Sequence, residues 1–456
     1  MRLLPVLPLL MLAQAGCAGS RPVSEGASLE PSFAIQNVRI FDGERLTSPA
    51  TVLVRGGRIA AVGQSVDLSG VSELIDGHGQ TLLPGLIDSH FHLDGPESYR
   101  SALAFGVTTV IDMFGQYSSL AMKTSLGALA QRGADEADTL VGLLITAPGG
   151  HGTQFGNVPM PTVTAGAECQ AAVDAQLAAG ASFVKLVYDS GEVWSQKPLP
   201  TLTREVLAAC VQAAHARGVL AVVHTWTLRQ AREALATGVD GLVHVVADTV
   251  PDQAFTELIA SSGAFVVPTL AVISGAAHHH NDDQILADAR LAPYLTADNL
   301  NTLKASFPDG FGQGMKPTVM QQAVRQLKGA RIPILAGSDC ANQQTAIGAS
   351  LHQELEQLVA SGLTPTEALV AATSLPAARF RLPDRGRIAP GLRGDLLLVR
   401  GDPTQDIRVT RDIVAIWKQG QRLDREAFRT RIDASRKAKA KTEHASPPAN
   451  SGPPLE

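Results

Sequence analysis

The sequence predicts an α/β fold in which a (β/α)8 TIM barrel carries a small composite β-sandwich domain built from both chain ends. In the middle of the chain, short apolar runs alternate with helical patterns, which is typical of a parallel sheet or barrel. Toward both ends, runs of alternating polar and apolar residues are separated by Gly and Asp turns, which is typical of antiparallel strands. The apolar runs that predict the barrel strands are residues 83–88, 107–112, 140–146, 183–188, 220–224, 241–244, 264–269 and 334–338.

Residues 1–17 predict an export signal. They begin with one positive charge at Arg2, continue with a short apolar stretch and end in small residues. The stretch is too short and too often interrupted by proline for a spanning helix, which needs about 20 apolar residues. Two processing routes stay open, cleavage after Ala13-Gln14-Ala15 or lipidation of Cys17 in a lipobox-like context. Residues 18–32 would then form a tether, and the protein would be periplasmic, secreted or lipid-anchored to a bacterial membrane.

The rest of the chain divides into three parts that differ in their residue patterns. Residues 33–82 and 385–425 predict the composite β-domain, because both carry short alternating runs. Residues 83–384 predict the (β/α)8 barrel, in which the long, polar segment 273–311 predicts a lid. Residues 431–456 are rich in Lys, Ala, Ser and Pro, which predicts a short helix followed by a flexible tail.

Composition and charge argue against a nucleic-acid-binding protein and against a fold held by disulfides. The chain has 456 residues, 45% of them hydrophobic and 18% charged, which fits a soluble α/β protein. The net charge of -5, without basic clustering in the body of the chain, argues against nucleic acid as a partner and favours a small-molecule ligand. The four cysteines are too few and too scattered to predict a disulfide framework: Cys17, Cys169, Cys210 and Cys340.

Two histidines at the end of the first barrel strand predict a metal site. His90 and His92 follow an apolar run and stand one residue apart. Side chains at i and i+2 of a strand lie on one face, and two neutral imidazoles on one face can chelate a divalent ion. Barrel enzymes keep their chemistry at this end of the strands. Alone, such a pair is more often found in an ordinary loop, so the prediction depends on further ligands.

Four further polar side chains recur at or near the ends of predicted barrel strands. They are Lys185 in the fourth strand, His224 after the fifth, His244 after the sixth and Asp339 after the eighth. Each alone is more often a core or loop residue than a ligand, but their recurrence at strand ends favours a shared site. For Lys185, a buried ion pair with Asp339 or Asp112 is the alternative to a place in the metal site.

The motifs that carry these residues resemble the amidohydrolase superfamily, in particular its imidazolonepropionase-like and prolidase-like branch. The resemblance covers nearly the whole chain after the export signal. Its motifs are residues 37–43 (Asn-Val-Arg-Ile-Phe-Asp-Gly), 84–92 (Pro-Gly-Leu-Ile-Asp-Ser-His-Phe-His), 213–218 (Ala-Ala-His-Ala-Arg-Gly), 236–244 (Ala-Thr-Gly-Val-Asp-Gly-Leu-Val-His), 336–339 (Ala-Gly-Ser-Asp) and 394–396 (Gly-Asp-Leu).

The resemblance implies a binuclear metal centre. By it, His90, His92 and Asp339 would bind a first divalent ion, and His224 and His244 would bind a second. Lys185, carboxylated to a carbamate, would bridge two ions, most simply Zn²⁺, which share a hydroxide as nucleophile. Asp339 would act as the general base and pass the proton to the departing amine. Imidazolonepropionase itself departs from this pattern, because it uses one metal and lacks the lysine.

Two residues near the barrel mouth are candidates for substrate binding. His151 lies in a glycine-rich loop after the third strand, where it would polarise a carbonyl or recognise a carboxylate. A surface turn is the equally weighted alternative. Tyr188, three residues after Lys185, would hydrogen-bond a substrate carboxylate or a phosphate-like group, and packing under the loop is its alternative. His278-His279-His280, in the predicted lid, is interpreted as a solvated loop.

The sequence therefore predicts an exported metal-dependent amidohydrolase that cleaves a C–N bond, most plausibly in a dipeptide or an N-acyl amino acid. The dipeptidase preference comes from the prolidase-like resemblance alone. A cyclic amide, ester or lactone hydrolase is the alternative, and a non-catalytic ligand-binding barrel is disfavoured because all six ligand positions are intact. A lipid anchor at Cys17 and a homo-oligomer are both compatible with the sequence.

Overall fold

The computed structural model describes residues 32–93, 95, 97–115, 135–155, 160–277 and 282–445. These residues form two β-sheets, a mixed sheet and a parallel one. Helices follow the strands of the parallel sheet along the chain. The helix and strand patterns of the sequence thus appear in the predicted order.

The mixed sheet draws strands from both ends of the described chain. Its order is β15-β14-β13-β5-β1-β2-β3, with β4 paired to β1, and the antiparallel pairing of β13 with β5 joins the two ends. Alternating apolar residues such as Ile35, Val52 and Leu396 are buried in its core, where Phe33 and Trp417 stack at 5.2 Å. The strands are β1 (Ser32–Phe41), β2 (Leu46–Arg55), β3 (Arg58–Gly63), β4 (Glu73–Asp76), β5 (Gln80–Pro84), β13 (Leu396–Arg400), β14 (Ile413–Lys418) and β15 (Gln421–Arg422).

The parallel sheet forms the barrel. Its seven strands pair with one another in chain order. They are buried, as a parallel sheet covered by helices requires. The strands are β6 (Leu86–Phe91), β7 (Val107–Gly115), β8 (Asp138–Ile145), β9 (Phe183–Val187), β10 (Ala221–His224), β11 (Gly241–Val243) and β12 (Phe265–Val267).

An extended segment at residues 334–340 closes most of the gap between β12 and β6. Ile334 bridges to Val266 on one side, and Cys340 bridges to Phe91 on the other, both in parallel. This segment corresponds to the predicted eighth strand. The predicted fold class is therefore confirmed, with a nearly closed barrel and a separate mixed sheet, whereas the predicted domain boundaries, such as 83–384, stay predictions.

Helices surround the barrel, and several begin at capping residues that the sequence supplies. Thr203 accepts a hydrogen bond from the Val206 amide, and Thr364 forms a capping box with Glu367. The helices are α1 (Glu97–Ala104), α2 (Gly166–Ala178), α3 (Arg204–Ala216), α4 (Leu228–Leu235), α5 (Gln253–Ser262), α6 (Leu270–Ala276), α7 (Asp282–Leu286), α8 (Ala297–Lys304), α9 (Pro317–Gly329), α10 (Ala349–Ala360), α11 (Pro365–Ala371), α12 (Ser374–Arg379) and α13 (Arg425–Ala445). None of these helices combines the length and the hydropathy that crossing a membrane requires.

Two segments outside the barrel strands contain helices. The predicted lid contains α7 and α8 and buries Ile285 and Leu303 in an apolar cluster with Phe105. Helix α13 continues to Ala445, through much of the segment predicted as a flexible tail. Its side chains Phe428 and Ile432, four residues apart, pack together against Ala104 and thereby anchor the helix. His278-His279-His280 and residues 446–456 lie outside the described residues.

One disulfide joins two neighbouring helices. Cys169 of α2 and Cys210 of α3 are 41 residues apart in sequence, with Cα atoms 4.8 Å apart. Their pairing cannot be predicted from the sequence, because scattered cysteines indicate contact only when the helices are known to be adjacent. Cys340 is a buried free thiol, and Cys17 lies outside the described residues.

Candidate active site

His90, His92 and Asp339 meet at the carboxyl end of the first barrel strand. Asp339 Oδ1 lies 3.3 Å from His90 Nε2 and 2.7 Å from His92 Nε2. The two Nε2 atoms are 3.2 Å apart. The backbone holds this arrangement, since the Asp339 amide donates to the His90 carbonyl at 2.8 Å. Gly337 permits the approach, because a Cβ there would lie 2.8 Å from the His90 backbone nitrogen.

His224 and His244 form the second pair of imidazoles. His224 Nδ1 lies 2.9 Å from His244 Nε2, and His244 Nδ1 lies 2.7 Å from Thr269 Oγ1. The ring of Trp226 stacks on His244 at 3.9 Å, with 7° between the planes. His244, Thr269 and Asp339 all have positive φ angles, of 74°, 55° and 54°. Such strained backbone in residues other than glycine clusters at functional sites.

The two groups of candidate ligands form one continuous cluster. The ligand atoms of His90, His244 and Asp339 all lie within 4.8 Å of one another. Burial lowers the pKa of both imidazoles well below the ordinary value of 6.5, and the charge of Lys185 lowers it further. These rings are therefore neutral near pH 7, which is the form that binds a metal ion.

Lys185 lies on the inner face of β9. Its side chain is 2% exposed, and Phe183, two residues earlier on the same face, belongs to the cluster inside the barrel. Burial lowers the pKa of Lys185 to about 7, against the opposing effect of the Asp339 and Asp112 carboxylates. The positive charge of Lys185 in turn lowers the pKa of His224. Lys185 is thus within electrostatic range of both groups of ligands.

The donor set fits divalent metal ions. Imidazole nitrogens and carboxylate oxygens are the ligands that Zn²⁺ takes in catalytic sites. Here four such imidazoles and one carboxylate converge at the strand ends, with the imidazole pairs only 3.2 and 2.9 Å apart. A metal ion would accept the lone pairs that these rings otherwise turn toward one another.

The structure brings His151 into the same site. Its ring centroid lies 4.7 Å from that of His224 and 4.8 Å from that of Trp194. Burial lowers the pKa of His151 to about 3, so the ring is neutral. The Gln154 side-chain amide donates to His151 Nδ1 at 2.8 Å, while its oxygen accepts from the Gly152 amide. His151 therefore carries its proton on Nε2.

Tyr188 points away from the cluster. Strand periodicity explains this, because Tyr188 is three residues after the inward-facing Lys185 and belongs with Leu186 to the outer apolar cluster. Its hydroxyl donates to Glu233 of α4 at 2.7 Å. Burial, together with this bond, raises the pKa of Tyr188 to about 12. The geometry favours the packing role, and substrate binding by Tyr188 stays a prediction.

Asp88 and Asp189 are buried carboxylates that the sequence analysis did not assign to the site. Asp88 accepts from the Ser338 hydroxyl at 2.6 Å and from the His90 amide at 3.1 Å, directly beneath the ligands. Burial raises its pKa to about 6. The sequence signal for Asp88 was a charge inside an apolar strand. Asp189, which follows the fourth strand, is 3.2 Å from His224 Nε2.

Hydrogen bonds keep Asp189 ionised. Burial alone would raise its pKa, but hydrogen bonds from His224, Trp194 and the Gly191 amide outweigh that effect and lower the pKa. The Trp194 indole donates to Asp189 Oδ2 at 2.6 Å. Asp189 and Trp194 are five residues apart in one loop, and this short separation is the sequence signal that could have indicated their contact.

Aromatic rings extend the site outward from His224. Trp194 contacts Phe311 at 5.3 Å, and Phe311 stacks on Phe307 at 4.9 Å. Together with His151, these rings form what we call the aromatic wall (His151, Trp194, Phe307 and Phe311). The loop of Phe311 is held against that of Trp194 by backbone bonds, including Gly312 amide to Trp194 carbonyl at 3.1 Å.

Comparison with known proteins places the whole barrel in one family. The model of the amidohydrolase family matches residues 81–423. An adenine deaminase of Lysinibacillus sphaericus (strain C3-41) is 24% identical over 420 residues, which cover 88% of this chain and 59% of that protein. The chain thus spans well under two thirds of the length of this relative.

Solved structures share the fold at low sequence identity. A Xaa-Pro dipeptidase with bound methionine in its active site is 20% identical and superimposes with a TM-score of 0.71, covering 86% of this chain and 99% of that chain. A prolidase complexed with N-methylphosphonate-L-proline is 22% identical, with a TM-score of 0.66 and coverage of 86% and 99%. These structures are similar to this chain in architecture.

Proposed function

The chain belongs to the amidohydrolase family, as predicted, and we propose on this premise that it is an exported, metal-dependent hydrolase of a dipeptide or N-acyl amino acid. The hydrolase class follows from the family, whereas the scissile C–N bond and the substrate are proposed. The observation that carries the proposal is the convergence of the predicted ligands at the strand ends, in which Asp339 Oδ1 lies 2.7 Å from His92 Nε2. The six proposed ligands are His90, His92, Lys185, His224, His244 and Asp339.

The bound metal would supply Lewis acidity. Held by these residues, two divalent ions, Zn²⁺ in this proposal, would supply a more acidic water molecule and a polarised scissile carbonyl. Asp339, whose Oδ1 contacts the histidines, accepts a proton from the attacking water and delivers it to the departing amine. The neutral imidazoles of His90 and His244 keep the site free of competing positive charge.

Lys185 is proposed to be carboxylated. Only a neutral amine adds to carbon dioxide, and the pKa of about 7 that burial produces makes much of this amine neutral at physiological pH. The carbamate replaces a buried cation with an anion beside the imidazoles, and its two oxygens suit a bridging ligand. The Lys185–Asp339 or Lys185–Asp112 ion pair is the competing state of the same side chain.

His151 and the aromatic wall support a substrate with an apolar side chain. His151 carries its proton on Nε2, which is suited to donating a hydrogen bond to a carbonyl or carboxylate oxygen. The Trp194 ring packs 4.8 Å from the His151 ring, and Phe311 and Phe307 continue this apolar surface. The ligands of the similar structures, methionine and a proline phosphonate, support an amino acid as the product.

Export is supported by the disulfide. The Cys169–Cys210 bond fits an oxidising compartment, where disulfides persist. Residues 1–17, the proposed signal, lie outside the described residues. N-terminal analysis of the mature protein tests this point: a chain beginning after Ala15, or at a lipidated Cys17, supports export, and an unprocessed Met1 in the cytosol contradicts it.

A substrate panel with a matched variant pair tests the activity. Dipeptides, N-acyl amino acids, cyclic amides, lactones and adenine are offered to the Zn²⁺-loaded enzyme, and the metal content is measured per chain. We expect hydrolysis of a dipeptide or N-acyl amino acid and a loss of at least about 100-fold in Asp339→Asn. Asp174→Asn, which alters a surface carboxylate paired with Arg217 at 2.7 Å, should keep full activity. Fewer than one ion per chain, with Asp339→Asn as active as the wild type, would overturn the proposal.

A further inference from the structure

We propose that Asp189 is a positioning residue that holds His224 in the tautomer and orientation needed for metal binding, and that Trp194 fixes Asp189 in turn. The inference rests on the proposed metal site and deepens it. Metal-binding histidines usually donate their second ring N–H to a carboxylate or carbonyl, and this partner orients the ring. Asp189 occupies that position relative to His224.

The two ring nitrogens of His224 face different partners. Nε2 lies 3.2 Å from Asp189 Oδ2, and Nδ1 lies 2.9 Å from His244 Nε2. An ionised carboxylate can only accept hydrogen bonds, so Nε2 must carry the proton of the neutral ring. The lone pair is thereby left on Nδ1, which faces the cluster of ligands. Asp189 thus determines which nitrogen of His224 is available to a metal ion.

Hydrogen bonds hold Asp189 at both carboxylate oxygens and at its backbone amide. It is completely buried, and its Oδ2 also accepts from Trp194 Nε1 at 2.6 Å. Its Oδ1 accepts from the Gly191 amide, and its own amide donates to Thr201 Oγ1, both at 3.0 Å. The carboxylate therefore has little freedom to rotate, which makes it an effective anchor for a ring.

An asparagine cannot reproduce these contacts. Both carboxylate oxygens accept from donors, Oδ1 from Gly191 and Oδ2 from Trp194 and His224. An amide offers one oxygen and one NH₂ group, so one position would set donor against donor. If the NH₂ group replaces Oδ2, His224 can relieve the conflict only by moving its proton to Nδ1 or by rotating. Either change removes the lone pair from the metal site.

Metal affinity in Asp189→Asn tests this inference. Zn²⁺ binding to the full-length protein is measured by chelator competition, with circular dichroism to verify folding and ¹⁵N spectra of the imidazoles to assign the His224 tautomer. We expect the affinity for Zn²⁺ to fall about 10- to 100-fold and the Nε2–H signal of His224 to be lost. In the hydrolysis assay, kcat should fall while KM stays within about threefold of the wild-type value. Trp194→Phe should also weaken Zn²⁺ binding, by a smaller factor. This variant tests the inference if Asp189→Asn does not fold.

Asp240→Asn is the matched control. Asp240 also pairs with a histidine, at 2.9 Å from His215 Nε2, but on the outside of the barrel. Its variant should bind Zn²⁺ with unchanged affinity. Unchanged affinity and an unchanged tautomer in folded Asp189→Asn would overturn the inference while leaving the proposed function intact. A wild-type protein that binds no metal would instead overturn the proposed function.

Discussion

The reactivity of Lys185 toward carbon dioxide should report its buried environment directly. Its pKa of about 7 means that about half of the amine is neutral at pH 7. An exposed lysine, with a pKa of about 10.4, would be neutral in well under about 0.1% of molecules at that pH. Burial thus raises the reactive fraction roughly a thousandfold. We expect the rate of carbamate formation to rise about tenfold from pH 5 to pH 6 and to level off above pH 7.

The assay uses metal-free protein incubated with ¹³C-bicarbonate at pH 5 to 9, with rates corrected for the carbon dioxide present. Carbamate is detected by ¹³C NMR after Zn²⁺ is added, and recovered hydrolysis is measured in parallel. Lys185→Met should remove both signals. Lys418→Met, which removes another buried lysine that pairs with Asp138 at 2.8 Å, should keep them. A rate that keeps rising tenfold per pH unit up to pH 9 would refute the reasoning, since it is the behaviour of an ordinary lysine.

Three further predictions concern other parts of the molecule. Burial lowers the pKa of His352 to about 3, below its value in the unfolded chain. The contribution of His352 to the free energy of unfolding should therefore be full above pH 6.5 and fall by about 1.4 kcal/mol per pH unit as the pH drops toward 3. When the free energy of unfolding is measured with urea at several pH values, it should depend less steeply on pH in His352→Gln than in the wild type, and an unchanged pH dependence contradicts this. Replacing Cys169 and Cys210 by serine should cost about 3–4 kcal/mol, from closure of a 41-residue loop, and a reductant should lower the Tm of the wild type but not of the double variant. Tyr188→Phe should keep kcat/KM within about threefold because the hydroxyl contacts Glu233, whereas a loss above about 100-fold would restore Tyr188 to the site.

Much of the site could be predicted because its information is local. The spacing of two between His90 and His92 predicts a shared face, and the carboxyl ends of parallel strands meet at one rim. The same periodicity bears on Tyr188, which stands an odd number of residues after Lys185 and belongs to the outer apolar cluster, in agreement with the packing alternative. Strand pattern thus placed the candidate ligands at one rim, and the family resemblance supplied their proposed roles.

By itself, then, the sequence determined the family, the barrel with its mixed sheet and the set of candidate ligands. These features follow from local residue patterns, because strand periodicity is local and the strands of a barrel pair in chain order. Only the tertiary structure decided how side chains far apart in sequence meet. Asp189 reaches His224 across 35 residues, and Cys169 reaches Cys210 across 41. Such contacts depend on the paths of loops and on helix neighbours, and no local pattern of residues encodes either.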